Sequence, residues 1–203
     1  MQRLWSERYI SINENNMNAI VAVDQNWGIG KNNDLLVRLP GDLQYYKEKT
    51  QGRCVIFGQR TLESLPGGKP LPKRNHIVLS DDMSFEIPLR KNMIMSDVPG
   101  EGATEEQPYT CTLCHTKDEV LAAVKAVEAA NDDPEAVFIC GGASIYELFL
   151  DDCDAFYVTR IEHVFDADRF FPDLEEHGFH MTWASEPMEE EGYTYRFTKY
   201  ERV

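Results

Sequence analysis

The feature that most constrains this chain is a series of short, almost wholly apolar runs, each closed by glycine or a polar loop. Ala19-Ile20-Val21-Ala22-Val23, Cys54-Val55-Ile56-Phe57, Ala136-Val137-Phe138-Ile139-Cys140 and Phe156-Tyr157-Val158-Thr159-Arg160-Ile161 are the clearest, and Asn75 to Ser80 is a further run. Continuous rather than alternating apolarity marks strands buried on both faces, as in parallel sheets covered by helices. Helical patterns lie between the runs. Pro40 suits a first helical position and predicts a helix through Thr50. Residues 59–65 predict a short helix ended by Pro66-Gly67-Gly68. Thr116-Lys117-Asp118-Glu119 is a capping box ahead of Val120, Leu121, Val124 and Val127 at helical spacing. Ser144 to Leu150 is helical, and Tyr193 to Tyr200 alternates like a strand. The expected fold is a single α/β domain. A central, mostly parallel sheet of about eight strands is flanked by helices and ends in an antiparallel C-terminal edge strand.

The chain has 203 residues and a formal net charge of −15. That length suits one domain with additions. Such an acidic surface argues against nucleic-acid backbones and anionic membranes as partners. It also repels phosphorylated ligands, so a site for one needs its own local cation. Residues 1–16 are polar, mixed in charge and without a continuous apolar stretch, so they are not a secretory signal. They are expected to form a mobile extension ahead of a catalytic domain over 17–203. Five cysteines without an export signal read as reduced thiols of a cytoplasmic protein. Cys111-Thr112-Leu113-Cys114-His115 spells a haem-attachment pattern, but Tyr109, Cys111 and Leu113 alternate as in a half-buried strand, which is the better reading. Residues 81–108 are polar, with a weak strand at Asn92 to Met95 and a solvated acidic loop from Asp97 to Pro108.

Chemistry is expected where strands end and helices begin. Val55-Ile56-Phe57-Gly58-Gln59-Arg60-Thr61 and Val137 through Gly141-Gly142-Ala143-Ser144 both run from strand through glycine into helix, offering free amides to phosphate oxygens. Two such segments suggest a dinucleotide, although the GxGxxG pattern is absent and each alone is more often a plain tight turn. Asp42, after Leu39-Pro40-Gly41, is either a helix cap or a ligand-binding carboxylate with Leu43 and Tyr46 on its buried side. The loop from Asp24 to Asp34, rich in Gly and Asn, can move.

These residues, taken in order, resemble dihydrofolate reductase. Ile20 to Asp24, Gly28 to Leu35 and Leu39-Pro40-Gly41-Asp42-Leu43 are similar to that family's N-terminal signature. Gly58-Gln59-Arg60-Thr61-Leu62-Glu63-Ser64, Pro70-Leu71-Pro72-Lys73-Arg74-Asn75, Ile139 to Tyr146, Tyr157 to Ile161 and Phe170 to Asp173 follow in family order. The resemblance covers about residues 18–202. Val37 stands where the family often has tryptophan, a position that helps hold a water near the pterin, and Ala143 stands where some members have a third glycine.

The resemblance implies reduction of 7,8-dihydrofolate to tetrahydrofolate by NADPH, with hydride passing to pterin C6 and a proton reaching N5. Asp42 would accept from the pterin 2-amino group and N3, water would carry the proton, and Thr159 would support Asp42. Ile20, Leu43, Tyr46, Leu65, Cys140 and Tyr146 would line the substrate slot. Arg74 would fork onto the substrate's glutamate carboxylate, although without the family it reads as a surface charge. Ala22, Ile29, Gly30, Gly58, Gln59, Thr61, Leu79, Gly141, Gly142, Ala143, Ser144 and Ile145 would meet the cofactor, with Arg60 and Ser80 at its 2′-phosphate. The segment Gly28 to Leu35 would close over nicotinamide and pterin. No metal is implied. The implied partners are dihydrofolate and antifolate inhibitors, and the chain would act as a monomer. Two rivals are a riboflavin-pathway reductase of the same fold, which would need neither Asp42 in this context nor Arg74, and a binding protein that kept the scaffold. The length leaves no room for a fused thymidylate synthase.

Overall fold

The computed structural model describes residues 17–130 and 132–202. The extension expected over 1–16 lies outside them. Strand β1 (Met17–Val23) occupies the middle of the main sheet and is buried almost throughout, as its unbroken apolarity predicts. The Gly/Asn-rich segment after it contains β2 (Gly28–Lys31) and β3 (Asp34–Leu35). Helix α1 (Pro40–Thr50) leads to β4 (Cys54–Gly58), α2 (Gln59–Ser64) and a single 3₁₀ turn at Pro66–Gly68. Next come β5 (Asn75–Leu79), the short β6 (Met93–Met95), β7 (Tyr109–Cys114) and α3 (Lys117–Ala130). The C-terminal third is β8 (Val137–Ile139), α4 (Ala143–Leu148), β9 (Cys153–Ile161), β10 (Arg169–Phe170), β11 (Phe179–Ala184), β12 (Met188–Glu190) and β13 (Tyr193–Arg202).

The main sheet has ten strands in the order β11-β13-β9-β1-β8-β4-β5-β7-β6, with β12 paired to β13 off that path. All pairs from β9 to β6 are parallel, and β13, β11 and β12 are antiparallel. The antiparallel edge is therefore three strands, and β11 covers the outer side of β13. The sheet's alternation assigns each side chain to a face. Met17, Ala19, Val21 and Val23 of β1, with Cys54, Ile56, Val137, Ile139, Phe156 and Val158, pack under α3 and α4. Ile20, Val55, Phe57, Phe138, Ala155 and Tyr157 face the other way, toward Tyr45 and Tyr46 of α1. Thr159, two residues beyond Tyr157, shares that second face.

Two expectations are corrected. Residues 28–35 are not simply a loop, because β2 pairs with β3 and β10 in a separate three-stranded sheet built on backbone bonds that glycine and asparagine allow. Strand β7 is buried on both faces rather than half-buried: Thr110, Cys111, Thr112 and Cys114 are all buried, since β5 and β6 flank it. The capping box is present: Thr116 Oγ1 accepts from the Glu119 amide at 3.2 Å, and the Glu119 carboxylate reaches back to the amides of Thr116 and of His115, the latter at 2.7 Å. All five cysteines are free thiols, and Cys111 and Cys114 are buried in the sheet.

Candidate active site

Asp42 sits in the first turn of α1, whose start is capped by Leu39 without any side-chain hydrogen bond. Asp42 is therefore not a capping residue. Its carboxylate is hydrogen-bonded to the Thr159 hydroxyl instead. Thr159 is brought there by register: β9 places it beside Ala22 of β1 and Phe197 of β13, 1% exposed. Burial raises the Asp42 pKa above the ordinary carboxylate value, Thr159 opposes that rise, and the charge of Glu190 adds to it.

Beside this pair lies an apolar slot. Ile20, Tyr46, Leu65 and Cys140 pack in one cluster with Leu71. The Tyr46 hydroxyl is buried against the Cys140 thiol, and burial pushes both groups up, Cys140 to about 12. Leu43 is not on a buried side as expected: it is 44% exposed, because the helix turns it away from the sheet at the slot mouth. Tyr146 is buried, and its hydroxyl donates to the Ile20 carbonyl at 2.7 Å, so it braces β1 from behind. Val37 packs against Leu39, Ile161 and Tyr195.

At the slot's far end, Arg74 is 4% exposed, which removes the surface-charge reading. Its Nε donates to Thr50 Oγ1 at 2.8 Å and its Nη1 to the Pro72 carbonyl at 2.7 Å. Thr50 Oγ1 itself donates to the Tyr46 carbonyl at 2.6 Å. Guanidinium has five N–H donors, so this anchorage leaves others for a carboxylate. Neighbouring His76 accepts from the Leu71 amide at 3.0 Å through Nε2, and burial depresses its pKa to about 3.

The two glycine turns lie against each other at the ends of β4 and β8. The Gly58 amide donates to the Gly141 carbonyl at 2.9 Å. A Cβ on Gly58 would come within 2.9 Å of Ile145, and one on Gly142 within 2.9 Å of Thr61 Oγ1, so neither position admits a side chain without movement. Neither helix start is capped by a side chain. Close backbone, uncapped amides and the exposed Arg60, which makes no ion pair among the described residues, fit a phosphate-bearing dinucleotide. Ser80 is buried, and its hydroxyl donates to Gln59 Oε1 at 2.5 Å, while Leu79 lies opposite Gly58 in the β4–β5 ladder. Ala143 and Ser144 open α4, Ser144 exposed and Ile145 buried.

Sequence reasoning missed two carboxylates. Asp24, 1% exposed, accepts from the amides of Asn26 (2.9 Å), Gly28 (2.7 Å) and Phe165 (2.9 Å), which ties the segment carrying Ile29 and Gly30 to the chain after β9. An aspartate leading an Asn/Gly turn was the signal for it. Glu190 accepts from the Gly41 amide at 2.7 Å, and nothing in the run Glu189-Glu190-Glu191 distinguishes it from a solvated turn.

The chain matches the family model for dihydrofolate reductase over residues 16–100 and 86–202. It is 32% identical to the dihydrofolate reductase of Bacillus subtilis, covering 90% of this chain and 92% of that protein. It is 32% identical to that of Staphylococcus haemolyticus over 98% and 99%. It is also 34% identical to a bifunctional dihydrofolate reductase-thymidylate synthase of Daucus carota, over 91% of this chain but 33% of that protein. Among solved structures it is similar to dihydrofolate reductase from Enterococcus faecalis complexed with NADP(H) and RAB-propyl, with a TM-score of 0.69 and 28% identity over 92% of this chain and 95% of that one. Sequence, fold and the Asp42–Thr159 site agree, and the chain belongs to the dihydrofolate reductase family.

Proposed function

We propose that this chain reduces 7,8-dihydrofolate to 5,6,7,8-tetrahydrofolate with NADPH, and that Asp42 is the residue that orients the pterin. The observation that carries the assignment of Asp42 is its pairing with Thr159 at the edge of the apolar slot, beside the twin-glycine turns. NADPH supplies the hydride when bound. A carboxylate held by one hydroxyl keeps acceptor capacity for the adjacent N–H donors of an amino-pterin edge. Thr159 fixes which way that carboxylate faces. Ile20, Leu43, Tyr46, Leu65 and Cys140 exclude water from the ring, which strengthens the polar contacts at Asp42. Tyr146 lines the slot as well, with its hydroxyl held on the Ile20 carbonyl. Arg74, already anchored by Thr50 and Pro72, forks onto a carboxylate at the slot's outer end.

Ala22, Ile29 and Gly30 border the nicotinamide end. Gly141, Gly142, Ala143, Ser144 and Ile145 hold the pyrophosphate, Gly58, Gln59, Thr61 and Leu79 the adenosine side, and Arg60 with Ser80 the 2′-phosphate. Residues 17–203 form the catalytic domain, which acts as a monomer in the cytoplasm, where five free thiols stay reduced. Antifolates that present paired N–H donors bind at the same carboxylate.

The test is NADPH oxidation followed with and without dihydrofolate. Dihydrofolate-dependent turnover is the expected result. Oxidation indifferent to dihydrofolate, or none, contradicts the proposal.

A further inference from the structure

The β12–β13 hairpin meets the first turn of α1 through Glu190. Glu190, partly buried at the end of β12, accepts from the Gly41 amide at 2.7 Å and from the Tyr195 hydroxyl. Tyr195 is itself 1% exposed. A Cβ on Gly41 would lie 2.2 Å from the Tyr195 hydroxyl and 3.0 Å from each Glu190 carboxylate oxygen, so this pair fills the space a side chain at position 41 would need. Gly41 directly precedes Asp42, and its amide is in the first turn of a helix whose start no side-chain cap holds. That turn is secured from the hairpin.

We propose that Glu190 is a positioning residue for Asp42: its carboxylate, joined to the Gly41 amide and the Tyr195 hydroxyl, fixes the first turn of α1 and with it the direction in which Asp42 meets the substrate. This rests on the reading of Asp42 as the pterin-orienting carboxylate. Glu190 acts in two ways. Its hydrogen bond fixes the backbone one residue before Asp42. Its charge, close to a second carboxylate in partly desolvated surroundings, opposes ionisation of Asp42. Among the described residues, the other groups near enough to act on Asp42 include the hydroxyls of Thr159 on β9, Tyr146 on α4, Tyr195 on β13 and Tyr45 on α1 itself. No cation is among these groups, so Glu190 is the charge that sets the local balance.

The test compares wild type, Glu190→Gln and Glu190→Ala, with Asp42→Asn as reference. The Asp42 carboxyl is titrated by ¹³C NMR in protein labelled at aspartate Cγ, and KM is measured separately for dihydrofolate and NADPH. Glutamine keeps an acceptor for Gly41 but loses the charge, so the Asp42 midpoint falls by roughly half a pH unit or more. Alanine loses both, so KM for dihydrofolate also rises, about fivefold or more, while KM for NADPH stays within about twofold. Glutamine recovers most of that loss. An Asp42 midpoint unmoved in Glu190→Gln overturns the proposal, and this result stands even if Glu190→Ala fails to fold. An equal rise in both KM values, without rescue by glutamine, shows a merely structural role and overturns it too. Unimpaired turnover in Asp42→Asn instead contradicts the reading of Asp42, independently of what Glu190 does to its titration.

Discussion

The Thr159 hydroxyl and the Asp42 carboxylate meet across the junction of β9 and α1, and each is placed by a different rule of the chain. Thr159 is placed by parity, since it follows Tyr157 by two residues on the face that packs under α1. Asp42 is placed by the proline at the helix start, which fixes where the first turn begins. Burial without a cation makes the Asp42 charge costly. The hydroxyl recovers part of that cost, and the remainder keeps the carboxyl pKa above its ordinary value.

Cofactor choice is predicted to rest on Arg60. It is exposed at the start of α2 and has no ion-pair partner among the described residues, so its charge is available to a cofactor 2′-phosphate. NADPH is therefore preferred over NADH, and Arg60→Ala shrinks the ratio of the two kcat/KM values by roughly tenfold or more. An unchanged ratio, measured by steady-state kinetics with both cofactors, moves the selectivity to Gln59 and Ser80.

His76 makes stability depend on pH. It is fully buried with a pKa depressed to about 3, below its ordinary 6.5, so the unfolded chain binds its proton first as pH falls. Its contribution is complete above pH 6.5 and is lost progressively down to about pH 3. By pH 5 the loss is about 1–2 kcal/mol. Urea midpoints measured from pH 7 to pH 5 fall accordingly in the wild type and fall less in His76→Gln.

Much of this architecture was legible because its central strands are buried on both sides. The continuous apolar runs of β1, β4, β8 and β9 leave no alternative to a covered parallel sheet. The edges carry no such mark. Strand β11, with Met181 and Trp183 exposed, and the small β2, β3 and β10 pair through backbone groups, which composition does not reveal. At the site, Asp42, Thr159 and the two glycine turns stand in motifs and were readable. The burial of Arg74 was not, since it depends on Thr50 and Tyr46 arriving from α1. Glu190 was invisible for the same reason: its partner Gly41 is 149 residues away.

Residues 1–16 are predicted to be dispensable to catalysis. Strand β1 begins at Met17 and the family match at residue 16. A chain starting at Met17 keeps its kcat, and its Tm stays within a few degrees, less than about 1 kcal/mol. A larger drop or lost activity shows the segment to belong to the folded domain.

The central claim is that Asp42 serves the substrate at the expense of the fold, and Asp42→Asn tests it in one variant. An amide cannot present two acceptors to the pterin edge, so kcat/KM for dihydrofolate at neutral pH falls by on the order of 100-fold or more, with NADPH binding retained. Because the folded pKa of Asp42 is raised, its contribution to stability is complete below the ordinary value of 3.8 and is lost as pH rises through the raised folded pKa. Removing the charge therefore raises Tm at neutral pH. Lost turnover together with a higher Tm is the predicted result. Near-normal kcat/KM for dihydrofolate in Asp42→Asn would contradict it.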